Sequence, residues 1–108
     1  MVSFEDFEKL DIRVAKVLEA EPVEGAEKLY KLKIRMGTEE RTLVAGIAEQ
    51  YALDEVLGKK ILVIANLDPR SIKGIESQGM LLAAVGDGGK KVVLCTVDGD
   101  IEDGAKIS

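Results

Sequence analysis

Lys31, Lys33 and Arg35 occupy alternate positions of Tyr30-Lys31-Leu32-Lys33-Ile34-Arg35-Met36. On an extended strand this spacing sends the cations to one face and Tyr30, Leu32, Ile34 and Met36 to the other. Such a stripe can contact a run of phosphates. It can equally be the solvated face of an antiparallel strand, where lysine discourages edge pairing. A second concentration of chemistry runs from Asn66 to Met80. Arg70 and Lys73 add charge there, and Asn66, Ser77 and Gln78 can hydrogen-bond sugar, phosphate or a base edge. The plainer alternative is a capped loop in which Asn66 and Ser77 satisfy its own backbone. Aromatic residues are few and none interleaves with the stripe, so backbone and shape are better targets for it than a row of stacked bases.

The chemistry that is missing matters as much. The chain has no histidine and one cysteine. Imidazole acid–base work, histidine-assisted nucleophiles and most zinc sites are therefore excluded. Catalysis would rest on carboxylates and lysines, so the chain reads as a binding protein, not an enzyme, with no cofactor expected. Cys95, inside Val92-Val93-Leu94-Cys95-Thr96-Val97, reads as a small buried hydrophobe. Asp98, Asp100, Glu102 and Asp103 lack the glycine and terminal glutamate of an EF-hand loop, and a solvated acidic turn is expected instead of a metal site.

The chain has 108 residues, 46 % hydrophobic and 32 % charged, enough for one domain over 1–108 with its own core. The apolar run Ile61 to Ala65, like every other in the chain, is far too short to span a membrane. The acidic N-terminus lacks a basic leader. A lone cysteine suits a reducing, cytoplasmic setting. Net charge is -5, but unevenly spread: Lys28 to Lys73 hold nine cations and six anions, the remainder six and fourteen. A net-acidic protein binds a polyanion only through such a local patch.

Positioning these residues requires strands. Ser3 and Asp6 frame a short helix carrying Phe4 and Phe7. Ile12, Val14, Val17 and Leu18 make a strand whose alternation slips, the signature of a β-bulge. Tyr30 to Met36 and Arg41 to Ala45 flank a turn at Gly37 to Glu40. Gly46 to Leu57 reads as helical, and Ile61 to Ala65 as a central strand. Gly79 to Val85 and Lys91 to Val97 flank a glycine-rich turn. This order predicts an all-β OB-fold: a five-stranded Greek-key barrel with a short helix between strands 3 and 4, a short N-terminal helix and a C-terminal strand extension.

Several blocks carry a family resemblance: Leu10-Asp11-Ile12-Arg13-Val14, Ala26-Glu27-Lys28-Leu29-Tyr30, Arg41 to Gly46, Gly58-Lys59-Lys60, Ala65-Asn66-Leu67 and Gly74 to Leu82. Together they span roughly Phe7 to Ala84 and resemble the tRNA-binding domain family, OB-fold modules joined to methionyl-tRNA synthetases or standing alone as dimers. The resemblance implies a module that binds the outer corner of tRNA and serves a catalytic aminoacyl-tRNA synthetase chain, as a stand-alone beta-type subunit does. It implies RNA contacts from Lys31, Lys33, Arg35, Asn66, Arg70, Lys73, Ser77, Gln78 and Met80. Asp68 and Ser71 depart from the pattern, where lysines are usual, as does Glu21, where histidine is common. A related branch is a dimeric chaperone of protein export, and a peptide-binding chaperone is the alternative function. A homodimer interface is expected from Phe4, Phe7, Ile101 and Ile107, apolar residues at the two ends of the chain.

Overall fold

The computed structural model describes residues 1–108. A one-turn-and-a-half helix, α1 (Phe4–Glu8), precedes three long strands: β1 (Ile12–Val23), β2 (Ala26–Met36) and β3 (Glu39–Ala45). A single helical turn, α2 (Leu53–Val56), leads to β4 (Lys60–Ile64). Short strands follow: β5 (Arg70–Ile72), β6 (Ile75–Ser77), β7 (Met80–Leu81), β8 (Ala83–Gly86) and β9 (Lys91–Leu94). The main sheet is antiparallel in the order β3-β2-β1-β4-β7, with β5-β6 and β8-β9 as separate ribbons. This is the expected OB-type architecture, including the helix between strands 3 and 4.

β1 lets one sheet curl. Its first half, Ile12 to Lys16, pairs with β4, and its second half, Lys16 to Val23, with β2. The register shifts between Val17 and Glu19, leaving Leu18 out of the ladder. A bulge there bends the strand, as the slipped alternation predicts. On β2 the alternation is clean: Tyr30, Leu32, Ile34 and Met36 are buried. They join Val14, Val17, Leu43, Ile47, Val56, Ile61 and Val63 inside the barrel.

Side chains complete the closure. The outer edge of β3 presents the Thr42 and Val44 N–H groups. Thr42 donates to Gln78 Oε1 at 3.0 Å, and Val44 donates to Ser77 Oγ at 3.0 Å. The Gln78 N–H donates in turn to the Thr42 carbonyl at 2.8 Å. Two side-chain oxygens thus stand where a neighbouring strand's carbonyls would stand, and the Thr42–Val44 stretch of the β3 edge is covered. Gly79 makes the approach possible. Its φ is +138°, and a Cβ there would lie 2.9 Å from the Ile64 carbonyl oxygen.

Three elements differ from the sequence expectation. The helix expected over Gly46 to Leu57 shrinks to α2. Only Ile47 and Val56 of that span are buried, and the Tyr51 carbonyl accepts from the Tyr30 hydroxyl at 2.6 Å. A continuous helix would give up that backbone acceptor, so tertiary anchoring wins over local propensity. The strand expected over Gly79 to Val85 breaks at Leu82, where the chain leaves β4 for β9. The segment from Asn66 to Met80 is no simple loop: β5 and β6 form a hairpin turned by Lys73 and Gly74, at φ 51° and 78°. Two positive φ values at the corner match the twist of the ribbon.

The C-terminus is a strap on the free edge of β1. The Val14 N–H donates to the Ala105 carbonyl at 2.9 Å, Gly104 donates to Val14 at 2.7 Å and Ile107 to Ile12 at 2.8 Å. This is the expected strand extension, reduced to an isolated bridge at Arg13 and Lys106.

Candidate nucleic-acid interface

The β2 stripe points outward, as the alternation requires, but its charges are already answered. Lys31 lies 3.5 Å from Glu21, and Lys33 lies 3.5 Å from Glu19 and 3.2 Å from Glu40. Arg35 pairs with Asp103 at 2.8 Å. The partners come from the adjacent strands β1 and β3 and from Asp103, just before the strap. Hydrogen bonding to Glu40, then the charges of Glu40 and Glu19, hold the Lys33 ammonium above its ordinary pKa. The Arg35 pKa is raised first by its hydrogen bonds to Asp103. The Asp103 carboxyl lies below the usual carboxylate range, chiefly through those bonds to Arg35. Burial works against the shift; the Gly37 N–H and the charges of Arg35 and Lys60 add to it.

The β5–β6 hairpin is different. Arg70 and Lys73 are both exposed, and neither has an ion-pair partner. Lys73 sits at the tip with its backbone in the left-handed region, a conformation that L side chains adopt at some cost. An open recess brings Lys73 beside Lys28, Leu29 and Gly25 at the start of β2. Lys28 also lacks an ion-pair partner, so this recess carries two unpaired cations, Lys28 and Lys73, with Glu27 among its lining residues, while Arg70 stands at the base of the same hairpin. Met80 is 47 % exposed and lines a small cavity of about 80 Å³ with Leu67, Arg70 and Ile72.

The polar residues of the segment are held inside the fold. Asn66 Oδ1 accepts from the Asp11 N–H at 2.8 Å, and its Nδ2 donates to the Lys9 carbonyl at 2.6 Å, tying α1 to the end of β4. Ser77 is 4 % exposed and donates to the Gly79 carbonyl at 3.2 Å while accepting from Val44. The Ser77 bond to Gly79 caps the segment's own backbone, as the plainer reading expects, while the bonds to Lys9, Asp11 and Val44 reach other segments. Gln78 is exposed, its Oε1 occupied by Thr42, while its amide nitrogen has no protein partner. The segment therefore holds a rigid base and an accessible tip.

Two cations missed by sequence reasoning belong to this region. Arg41 bridges β3 to the segment through the Ala65 and Gln78 carbonyls and pairs with Glu39 at 2.7 Å. Its role is structural, and no local pattern announced it. Lys28 could have been found from its place just after the β1–β2 turn, a loop that OB-folds use for binding.

The apolar ends stand clear of the barrel. Phe4 is 73 % exposed, Phe7 37 % and Ile101 42 %, and α1 has no buried residue. Ile107 is half-buried where the strap meets β1. No helix is long and apolar enough to cross a membrane.

Comparison with known proteins agrees with this geometry. The family model described as "Putative tRNA binding domain" matches residues 12–106. The chain is 54 % identical over 107 residues to a methionine–tRNA ligase of Caldanaerobacter subterraneus, covering 99 % of this chain but 16 % of that protein. It is 48 % identical to the methionine–tRNA ligase of Pyrococcus horikoshii, covering 98 % of this chain and 14 % of that one. The chain thus spans about a sixth of the length of these relatives. Among solved structures, a MetRS-related protein from Pyrococcus horikoshii superposes with a TM-score of 0.94 at 39 % identity, covering 100 % of this chain and 98 % of that one. The chaperone CsaA from Bacillus anthracis superposes with a TM-score of 0.91 at 30 % identity, covering 100 % and 99 %. With its barrel, matched segment and sequence relatives in agreement, the chain belongs to the tRNA-binding domain family.

Proposed function

We propose that residues 1–108 act as one structure-selective tRNA-binding module, without chemistry of its own. It grips the outer corner of tRNA and brings it to a catalytic synthetase chain in the cytoplasm, in the manner of a stand-alone beta-type subunit. The observation that carries this reading is the pair of unpaired cations, Arg70 and Lys73, on a hairpin braced against β3, in a chain of this family. Phosphate contact needs accessible charge on a fixed scaffold, and this hairpin offers both. Lys28 extends that surface. Met80, which shares a cavity with Arg70, and the free amide nitrogen of the exposed Gln78 can add shape-dependent contacts. Lys31, Lys33 and Arg35 take a secondary part, since each must first exchange a carboxylate for a phosphate. Asn66 and Ser77 serve the RNA through the position of the hairpin.

The module works as a homodimer. Phe4, Phe7 and Ile101 leave apolar surface on α1 and the C-terminal segment, which a two-fold partner would cover together with the edge near Ile107. Light scattering at micromolar concentration should give twice the 11.7 kDa chain mass.

Fluorescence anisotropy over a salt series tests the function. Folded tRNA should bind more tightly than an unstructured RNA of equal length, with affinity falling linearly on a log–log salt plot. Equal affinity for both RNAs would remove shape selectivity, and no binding at low salt would remove the reading altogether. A peptide-binding chaperone is the second reading, favoured by the likeness to CsaA and by the exposed face of α1. Suppression of aggregation of an unfolded client at stoichiometric amounts, without tRNA binding, would put it first.

A further inference from the structure

A second row of cations crosses the sheet at right angles to the β2 stripe. Lys16 on β1 lies directly opposite Arg35 on β2 and directly opposite Lys60 on β4. Directly opposed residues share a face, with adjacent strands about 4.8 Å apart. Three like charges side by side destabilise a sheet unless an anion answers them. The answer comes from the acidic C-terminal segment. Asp103 accepts from Arg35 Nε at 3.2 Å and Nη2 at 2.8 Å, and from the Gly37 N–H at 2.7 Å. Lys60 lies 3.4 Å from Asp100 and donates to the Ile101 carbonyl. Lys16 has no ion-pair partner. A recess of about 560 Å³ remains between row and segment, lined by Lys16, Arg35, Gly37, Lys60, Glu102 and Asp103.

The two parts of the C-terminus are held differently. From Gly104 onward the strap is bonded to β1 by backbone N–H and carbonyl groups. From Asp98 to Glu102 no backbone bond joins the segment to the sheet; the contacts there are the Lys60 pair with Asp100 and the Lys60 bond to Ile101. A guanidinium fork, a backbone N–H and two ammonium groups around a recess form a phosphate-binding set, here filled by a carboxylate of the same chain.

We infer that the Lys16–Arg35–Lys60 row is a second phosphate-binding site, for which the Asp100–Asp103 segment is a resident competitor. An RNA strand displaces the segment from above while the strap stays zipped to β1. The segment therefore lowers affinity for polyanions in general and leaves binding to ligands long enough to reach both this row and the β5–β6 hairpin. The inference rests on the tRNA-binding reading only for the identity of the polyanion.

The test is a charge-removal series. Asp100→Asn/Asp103→Asn should bind folded tRNA more tightly than the wild type, with the salt slope steeper by roughly 0.7–0.9 for each newly engaged phosphate. Adding Lys16→Gln and Lys60→Gln should abolish the gain. Glu49→Gln/Asp54→Asn removes the same formal charge from exposed residues without ion pairs. If that control gives an equal gain, the effect is net charge alone and the inference falls. Asp100→Asn/Glu102→Gln keeps Asp103 and the strap intact and should give a smaller gain in the same direction, so a fold defect in the first variant does not decide the outcome. Should the wild type fail to bind tRNA, the proposed function falls by itself, and elution from immobilised heparin reads the inference instead. Later elution of Asp100→Asn/Asp103→Asn, reversed by Lys16→Gln/Lys60→Gln, supports it, and elution together with the control overturns it.

Discussion

Two basic regions lie on this barrel, and they differ in availability more than in charge. The β2 stripe has three cations on one strand face, each with at least one carboxylate partner on a neighbouring element. The β5–β6 hairpin has two, exposed and unpaired. A lysine on a flat antiparallel sheet faces whatever its cross-strand neighbours present, and here β1 and β3 present glutamates. A lysine at a hairpin tip has no cross-strand neighbour beyond it. Exposed ion pairs contribute little stability, so the paired stripe is better understood as screened than as structurally essential.

The largest effect should come from the hairpin. Arg70→Glu/Lys73→Glu should remove tRNA binding at 0.15 M salt, and the residual low-salt slope should fall by roughly one for each phosphate no longer engaged. Melting temperature should barely change. Retention of the wild-type slope would shift the interface to another face.

Next comes the support beneath the hairpin. Ser77→Ala leaves the Val44 N–H without its acceptor at a buried site and should lower stability by about 1–3 kcal/mol, read from urea unfolding. Affinity should fall as well, because Arg70 lies directly opposite Ser77 in the hairpin. An unchanged affinity in a destabilised protein would show that the hairpin keeps its place without that bond.

Lys73→Gly separates the two properties. Glycine accepts the positive φ of this corner more readily than lysine, so the variant should be more stable by up to ~1 kcal/mol while binding tRNA less tightly. Loss of both properties would mean that the lysine stem packs against the recess beside Lys28.

The stripe should respond less. Lys33→Gln removes one cation but frees Glu19 and Glu40, and the salt slope should change by less than the hairpin variants change it. An equal effect from both regions would end the distinction drawn between them.

Acid should act first on the strap. Asp103 has a folded pKa below its unfolded value, so the unfolded chain takes up the proton more readily. The stability it contributes is complete above the unfolded pKa of about 4 and is lost as pH falls through the lower folded value. The Gly37 amide should therefore lose protection from hydrogen exchange below about pH 4 in step with this titration. Protection unchanged down to global unfolding would show that the backbone bonds of Gly104 to Ile107 hold the strap without it.

The sequence by itself determined what depends on neighbours in the chain. Strict alternation from Tyr30 to Met36 set the buried face of β2, and the slip after Val14 announced the bulge that bends β1. The apolar run Ile61 to Ala65 marked the central strand, and the spaced blocks from Leu10 to Leu82 carried the family. Only the tertiary structure decided which polar groups remain free. Arg35 is tied to a carboxylate 68 positions away, and Gln78 to an amide 36 positions away. Ser77 reads equally well as a ligand-binding group or as a cap until barrel closure brings the β3 edge against it. Residue types and spacing fix which groups can donate, accept or carry charge. Whether a partner from the same chain already uses them is set by long-range pairing, which local sequence does not encode.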